Sequence, residues 1–581
     1  MEEAARDPVA AAAARRPDRP ALITAKSTLT WADVESRVSV AAGRVAARTA
    51  PGDRVAIVLG NSVDFVAAYF GTLRAGRVAV PLNPGYTADE LDYACADSGA
   101  ALIVAEEAGR SALRSWEARR VPPDLGSAAA GSLPEVAGSD LAVLLYTSGT
   151  SGRPRGAMLT HAALAANHDQ LDAIEPAVVG PDDVVLLAMP FFHAYGLNTG
   201  LGTVAHHAAV GVLVDRFDAA ASLALIAERA VTVTVGVPGM YSAWSRSPSV
   251  GAAVRGLRTA VCGAAPLAPV DAARFTAATG KTILIGYGLT ETAPVLTTTA
   301  VSDRGKTGSI GRPLPGVSLR LRAATGEVFW QDGTPSPDAD LAELDLSVED
   351  SAGTDPGEIV VRGANLFAGY WPDRRDGPGA DGWWATGDVA YADGDGDLHL
   401  IDRLGELILV NGFNVYPAEI ERVLDAHPGV AEAAVVGVPD AEVGQRPHAY
   451  VVPALDPPPT TAELQVFCAA QLARFKLPTV ELVRELPHSA TGKVRKRGGS
   501  VRLILISRGG CHLCEVAEET LDRITPGQWE RVDVESSVEL ERDYGDRVPV
   551  LLLDGREHGY WQIEEARLLR DLARQPGEPR L

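Results

Sequence analysis

The sequence predicts an α/β chain: a large N-terminal domain of α/β subdomains with a β-rich subdomain, a small α+β cap, and a further small α/β domain. Three observations predict it. Strand-like and helix-like segments alternate from residue 28 to about 300, which argues for layers built on largely parallel sheets. After about residue 306 the texture changes to short strands separated by Gly, Pro and Asp turns. At Val501 an apolar strand pattern starts afresh and runs into a C-x-x-C. The expected boundaries are 1–402 for the large part (core to about 305, β-rich to 402), 403–497 for the cap and 501–581 for the last unit.

Each element has a local reason. Residues 54–58 are a short apolar strand, and 63–74 read as the helix that leads to a strand around Val80. Thr87 and Glu90 have the T-x-x-E spacing of a capping box, which opens the next helix. Further strands are expected at 101–104, 141–146, 184–189, 210–214, 231–235, 259–262 and 282–285. GSIGRPLPGVSLRLR, GEIVVRG and GWWATGDVAYADGDGDLHL supply the β-rich part, and the acidic stretch 332–356 reads as an exposed loop insertion. Pro417 fits the first turn of a helix over AEIERVLDAH, with VAEAAVVGV and HAYVVP as cap strands. In the last unit VRLILI is a strand, a helix begins at about Glu515, VPVLLLDG is a strand, and a final helix covers about 563–574.

Composition narrows the function. Of 581 residues, 46% are hydrophobic and 22% charged, which excludes a disordered chain. No apolar run approaches the ~20 residues of a membrane span, so integral membrane contact is not expected. The balance of 53 basic against 75 acidic residues gives −22, a poor basis for sequence-blind nucleic-acid binding. Any nucleotide must be held by local donors. The start, MEEAARDPVAAAAARRPDRP, lacks the pattern of a secretory signal, and five cysteines are too few for a disulfide framework. A cytoplasmic location is expected. Lysine is scarce, with six in the chain, so a lysine inside a motif stands out.

The strongest local feature is LAVLLYTSGTSGRPRG at 141–156. A strand enters a loop of Thr147, Ser148, Gly149, Thr150, Ser151 and Gly152, where glycines allow close backbone approach and successive N–H groups form an anion nest. Arg155 adds positive charge. The spacing is not that of a P-loop, so alone the segment reads equally well as a surface turn. In GYGLTET, Tyr287, Thr290 and Glu291 offer an aromatic ring, a hydroxyl and a carboxylate, suited to stacking, a phosphate hydrogen bond and a Mg²⁺ ligand. Asp388 in TGD suits two ribose hydroxyls, and Lys493 stands in ATGKVRK near a domain end.

Taken together, these blocks resemble the superfamily of adenylate-forming enzymes, which includes acyl-CoA synthetases, firefly luciferase and peptide-synthetase adenylation domains. YTSGTSGRPRG, MPFFHAYGL, GAAPL, GYGLTET, GEIVVRG, WATGD, DRLGELILVNGFNVYPAEIE and LPHSATGK occur in order over roughly residues 10–497. PFFHAYGL and GFNVYPAEIE look most like fatty-acyl-CoA synthetases.

The resemblance implies that a carboxylate attacks the α-phosphate of ATP, pyrophosphate leaves, and CoA then displaces AMP from the acyl-adenylate. It further implies roles by motif position. Thr147 to Gly152 hold the β- and γ-phosphates with Arg155 nearby, Thr290 meets the α-phosphate, and Glu291 binds Mg²⁺. Tyr287 stacks on adenine beside Gly263, Ala264 and Ala265, while Asp388 and Arg403 hold the ribose. Lys493 bridges carboxylate and phosphate, and His193 lies between acyl pocket and nucleotide. Gly412 flanks the pantetheine path once the mobile cap has turned. The expected substrates are a fatty or other carboxylic acid, ATP and CoA. Two other readings share the blocks: an acyl-AMP ligase loading an acyl carrier protein, and an inactive scaffold carrying a redox or interaction module. Ser151, Arg155 and Gly405 depart from the superfamily pattern, which usually has Thr, Lys and a Lys or Asp there.

Residues 501–581 resemble a small glutaredoxin- or thioredoxin-like domain. A helix N-terminus favours a thiolate, which makes Cys511 the nucleophile and Cys514 the resolving thiol, with Pro549 at the position of the cis-proline. A zinc site is the rival reading, but it would need two more ligands. His206 and His207 read as structural.

Overall fold

The structure is a computed structural model. It describes residues 4–106, 113–126, 133–147, 154–302, 306, 308–323, 325–335, 353–403, 408–410, 413–440, 444–455, 457–469, 471–472, 474–488, 494, 503–508, 510–525, 529–536, 538–553, 556–561, 563, 565 and 567–568. The described residues form two compact units, one up to Arg484 and one from Glu485 onward.

Among the described residues, the first unit begins with two α/β sheets. The nine-stranded sheet runs in the order Arg312–Pro313, Thr297–Thr298, Ile283–Tyr287, Thr259–Cys262, Val233–Gly236, Val184–Leu187, Val210–Leu213, Pro20–Ile23 and Thr28–Thr30. Its centre is parallel, from Ile283–Tyr287 through to Pro20–Ile23. The six-stranded sheet is built around Arg54–Val58, Val78–Pro81 and Leu141–Thr147, with Arg155–Thr160 antiparallel at its edge. Helices between the strands are cut by their own caps. Ser62 accepts from Phe65 N at the start of Val63–Arg74, and Thr87 and Glu90 close a reciprocal box at the start of Ala88–Ser98. Trp31, Phe65, Phe191, Tyr241 and Trp244, each almost fully buried, anchor the main core. Burying each contributes on the order of 2 kcal/mol or more.

The β-rich part is an antiparallel sheet in the order Thr334–Pro335, Val328–Gln331, Ser318–Arg322, Gly357–Arg362, Trp384–Ala392 and Leu398–Arg403. The expected loop insertion lies mostly outside the described residues. The cap follows, with Val430–Asp440 paired antiparallel to Gly444–Pro453 and the helix Pro417–Asp425 against them, Pro417 in its first turn.

The second unit has the order Trp529–Asp533, Leu503–Ser507, Val550–Leu553 and Arg556–Tyr560, with a parallel first pair. Its helix spans His512–Ile524, so it begins three residues earlier than the expected Glu515, with Cys511 as the N-cap residue. The first turn runs through the C-x-x-C itself: Cys514 N donates to Cys511 O at 3.0 Å. The expected last helix lies largely outside the described residues.

Candidate active site

Three segments of the first unit converge on Glu291. The edge strand Arg155–Thr160 is bonded to residues 368–371: Ala368 N donates to Met158 O at 2.8 Å, Met158 N to Gly369 O at 3.1 Å, and Trp371 N to Gly156 O at 2.8 Å. One residue earlier, Phe367 N donates to Glu291 O at 2.8 Å. Glu291 itself sits in the short turn Thr290–Thr292, held by the Thr292 hydroxyl, which accepts from Leu289 N and donates to Pro294 O. The turn is so tight that a Cβ at Gly288 would stand 1.8 Å from Pro294 O.

The Glu291 side chain is 6% exposed, and the Tyr370 hydroxyl donates to its Oε1 at 2.5 Å. The Arg155 guanidinium lies 3.7 Å above the centre of the Tyr370 ring and pairs with Asp376. One aromatic ring therefore links a cation on the edge strand Arg155–Thr160 to a buried anion. A buried carboxylate is costly unless it is hydrogen-bonded or meets a cation. A single hard oxygen ligand fits Mg²⁺, which takes one or two carboxylates beside substrate phosphates.

The other expected nucleotide residues gather nearby in sequence register. Asp388 is 3% exposed and accepts from the Tyr287 hydroxyl at 2.7 Å. Its backbone N donates to the Thr386 hydroxyl at 3.1 Å, and it pairs in register with Arg403 on the neighbouring strand. Gly263 follows the strand Thr259–Cys262, where a Cβ would come within 3.1 Å of Gly286 O and of Tyr195 Cζ. Ala264 next to it adopts φ 66°, exposing the turn, and Ala265 is half-buried. Thr147 pairs in register with Arg155, its hydroxyl 3.5 Å from Arg155 O. Ser148, Gly149, Thr150, Ser151, Gly152, Gly405, Gly412 and Lys493 lie outside the described residues, as does the Arg403 side chain.

His193 stands on the segment that leads into the π-helical stretch Tyr195–Gly202. This segment folds back sharply: a Cβ at Gly196 would lie 2.2 Å from Pro190 O. His193 as a residue is partly exposed, but its Nδ1 is sealed from solvent without a hydrogen-bond partner among the described residues. Desolvation holds the ring below its ordinary pKa, so it is neutral near pH 7. The Tyr195 and Thr199 hydroxyls are likewise buried without a partner. Asn198 between them is spoken for, donating to Ala293 O at 2.7 Å and to Leu164 O at 3.2 Å. That bond ties this segment to the Glu291 turn. Tyr370, Tyr195 and Thr199 were not expected. Nothing local marks Tyr370, which reaches Glu291 across 79 positions.

In the second unit Cys514 is 1% exposed and its sulfur accepts from Arg508 N at 3.5 Å, while Cys511 is partly exposed. The Val548–Pro549 peptide is cis, and Pro549 O accepts from Trp561 N at 2.8 Å.

With this geometry in hand, residues 9–371 match the AMP-binding enzyme family, and 419–493 match the AMP-binding enzyme C-terminal domain. The chain belongs to the AMP-binding enzyme family. Residues 502–573 of this AMP-binding enzyme match a glutaredoxin-like domain. It is 37% identical over 486 residues to a feruloyl-CoA synthase of an Amycolatopsis species, covering 82% of this chain and 94% of the relative. It is 32% identical over 538 residues to the long-chain-fatty-acid–CoA ligase of Escherichia coli O157:H7, covering 83% and 92%. ATP-bound MatB from Rhodopseudomonas palustris matches with a TM-score of 0.75 at 32% identity, covering 84% of this chain and 97% of MatB. The o-succinylbenzoate CoA synthetase of Bacillus subtilis, in complex with ATP and magnesium, matches with a TM-score of 0.74 at 28% identity, covering 86% and 99%. The AMP-binding enzyme is therefore an adenylate-forming acyl-CoA ligase in its coarse activity. Among its described residues no helix is long and apolar enough to cross a membrane.

Proposed function

We propose that this enzyme activates an aryl acid bearing a hydrogen-bonding ring substituent, as its adenylate, and transfers it to CoA. The observation that carries the proposal is the pair of buried, unpartnered hydroxyls of Tyr195 and Thr199, four residues apart on one turn beside His193. A buried hydroxyl without a partner costs on the order of 1–3 kcal/mol. A ring hydroxyl or methoxyl would satisfy it, and an alkyl chain would not. The relative named feruloyl-CoA synthase supports this reading. The fatty acid expected from PFFHAYGL is the second reading, supported by the long-chain ligases at 32% identity.

In this reading Thr147 to Gly152 and Arg155 bind the outer phosphates, and Thr290 the α-phosphate. Tyr287, Gly263 to Ala265, Asp388 and Arg403 hold adenosine. Glu291 would hold Mg²⁺, which neutralises phosphate charge as the acid approaches. Lys493 meets the acid and the α-phosphate from the cap, His193 separates the acyl pocket from the nucleotide, and Gly412 borders the path of the CoA thiol. The domains are taken as 1–402, 403–497 and 501–581, the last a dithiol unit using Cys511 and Cys514. A cytoplasmic location accords with five unpaired cysteines.

The test is AMP release with ATP, Mg²⁺ and CoA over a panel of hydroxylated aryl, unsubstituted aryl and alkyl acids. Tyr195→Phe should lower kcat/KM for the hydroxylated acids by about tenfold and leave alkyl acids unchanged. Equal losses for all acids would remove the specificity role, and a preference of the unaltered enzyme for alkyl acids would restore the fatty-acid reading. Adenylate formation without CoA turnover would point to a carrier-protein acceptor. No adenylate with any acid would leave the scaffold reading.

A further inference from the structure

Away from the nucleotide site, three metal-ligating side chains of the first unit converge. Asp172 is the last residue of the helix His161–Asp172, and His206 and His207 are the last two of the helix Thr203–His207. His206 Nε2 lies 2.7 Å from Asp172 Oδ2, and His207 Nε2 lies 3.0 Å from Asp172 Oδ1. Their ligand atoms all fall within 4.8 Å of one another. The two imidazole planes stand at 87° with centroids 4.9 Å apart, so the ring nitrogens approach the carboxylate from different directions. Side-chain exposures of 37%, 22% and 15% leave one side open to solvent.

The surroundings hold this arrangement in place. Ala208 turns the chain out of the second helix at φ 52°, and Arg15 Nη2 donates to His206 O. His168 packs its ring 5.1 Å from that of His206 and is itself committed, with Nε2 on Asn198 O at 3.1 Å. Asp172 carries its charge at a helix C-terminus, where the helix dipole disfavours an anion and favours a neighbouring cation.

We propose that Asp172, His206 and His207 bind a divalent transition-metal cation such as Zn²⁺, with solvent completing the coordination. A tetrahedral ion with bonds of about 2.0–2.1 Å needs ligand atoms about 3.3 Å apart. The contacts at 2.7 and 3.0 Å, made to the two different carboxylate oxygens, would open towards that spacing. The remaining ligand-atom separations, within 4.8 Å, would close towards it, a side-chain adjustment that the open side of the cluster allows. Two imidazoles and one carboxylate suit zinc, cobalt, nickel or copper, while Mg²⁺ prefers oxygen ligands, so the ion that accompanies ATP does not compete. The bound cation staples the two helices that flank the chain on either side of Tyr195–Gly202.

The test is a Co²⁺ and Zn²⁺ titration of the untagged full chain carrying Cys511→Ser and Cys514→Ser, which removes the thiolates as rival ligands. One equivalent should bind with excess Mg²⁺ present. Co²⁺ should give visible d–d bands of tetrahedral intensity, and Zn²⁺ should raise the Tm. His206→Gln combined with His207→Gln should weaken binding at least a hundredfold and abolish the Tm rise. Asp172→Asn, close in shape, should weaken it about tenfold, with retained AMP release reporting a folded enzyme. His512→Gln, on an exposed histidine elsewhere, should change nothing. Undiminished one-to-one binding in the double histidine variant, or no binding by the parent below millimolar metal, would overturn the proposal.

Discussion

The Tyr287 hydroxyl donates to Asp388 Oδ2 at 2.7 Å and so joins strands of two different sheets. The carboxylate is nearly buried, and this hydrogen bond holds its geometry. Replacing Asp388 by Ala removes both the anion and the acceptor for Tyr287. The expected outcome is a rise in the KM for ATP of at least tenfold, consistent with loss of a charged hydrogen bond of about 1.5–3 kcal/mol. Tyr287→Phe keeps the ring and should raise it only a few-fold. AMP release against ATP concentration measures both, and an unchanged KM in Asp388→Ala would remove the residue from ribose binding.

On the proposed role of Glu291 as the Mg²⁺ ligand, Tyr370, which bonds its carboxylate, is a positioning residue. Tyr370→Phe keeps the ring under Arg155 but withdraws the donor from Oε1. The Mg²⁺ concentration for half-maximal activity should rise about tenfold, the usual effect of losing a partner of a metal ligand. Glu291→Gln should raise it further. Equal Mg²⁺ titrations in Tyr370→Phe and the unaltered enzyme would make the contact merely structural.

His161, at the start of its helix, is 9% exposed, and burial lowers its pKa to about 4 against the ordinary 6.5. Between these values the unfolded chain binds the proton and the folded chain does not. Stability from this group is therefore complete above about pH 6.5 and is lost as pH falls towards about 4. The loss approaches about 3 kcal/mol at 1.36 kcal/mol per unit. Urea midpoints at pH 7 and pH 5 should fall less in His161→Gln than in the unaltered protein, and parallel falls would contradict the assignment.

The two thiols of the C-x-x-C should react unequally. Burial, and then the hydrogen bond with Cys511, push the Cys514 thiol up to about 11, so near pH 8 it stays protonated as well as covered. Iodoacetamide at pH 8 should modify Cys511 first, as read by peptide mass. Alkylation of Cys514 at the same rate would show that the nucleophile and resolving roles are wrongly assigned.

Local features of the fold were legible in the sequence because they are made locally. The strands Arg54–Val58 and Thr259–Cys262 stand where their apolar runs predict them, and the Thr87 box closes as its spacing predicts. The strand expected over 184–189 stops at Leu187, because Met189 O accepts instead from the Asn61 side chain at 2.8 Å and the chain leaves the sheet. The first-turn reach of the helix through Cys514 was underread because His512 and Leu513 carry no apolar period. At the candidate site, the motifs single out Tyr287, Asp388 and Glu291, and the structure brings the first two into hydrogen-bond contact. Tyr370 was not, since its role exists only once the edge strand and the Glu291 turn have been brought to either side of it. The orphaned hydroxyls of Tyr195 and Thr199 are equally invisible beforehand, because a sequence does not say which polar groups will be left unpaired.

Gly196 and Gly288 each press the chain against a carbonyl oxygen at a distance no methyl group could occupy. A population of variants selected for new acids would consequently drift along a restricted route. Substitutions would accumulate at 195 and 199, where side-chain chemistry is negotiable, while 196 and 288 would stay monomorphic under every regime. Diversity at the neighbours with silence at these two positions would mark the backbone path, rather than the ligand, as the constraint there.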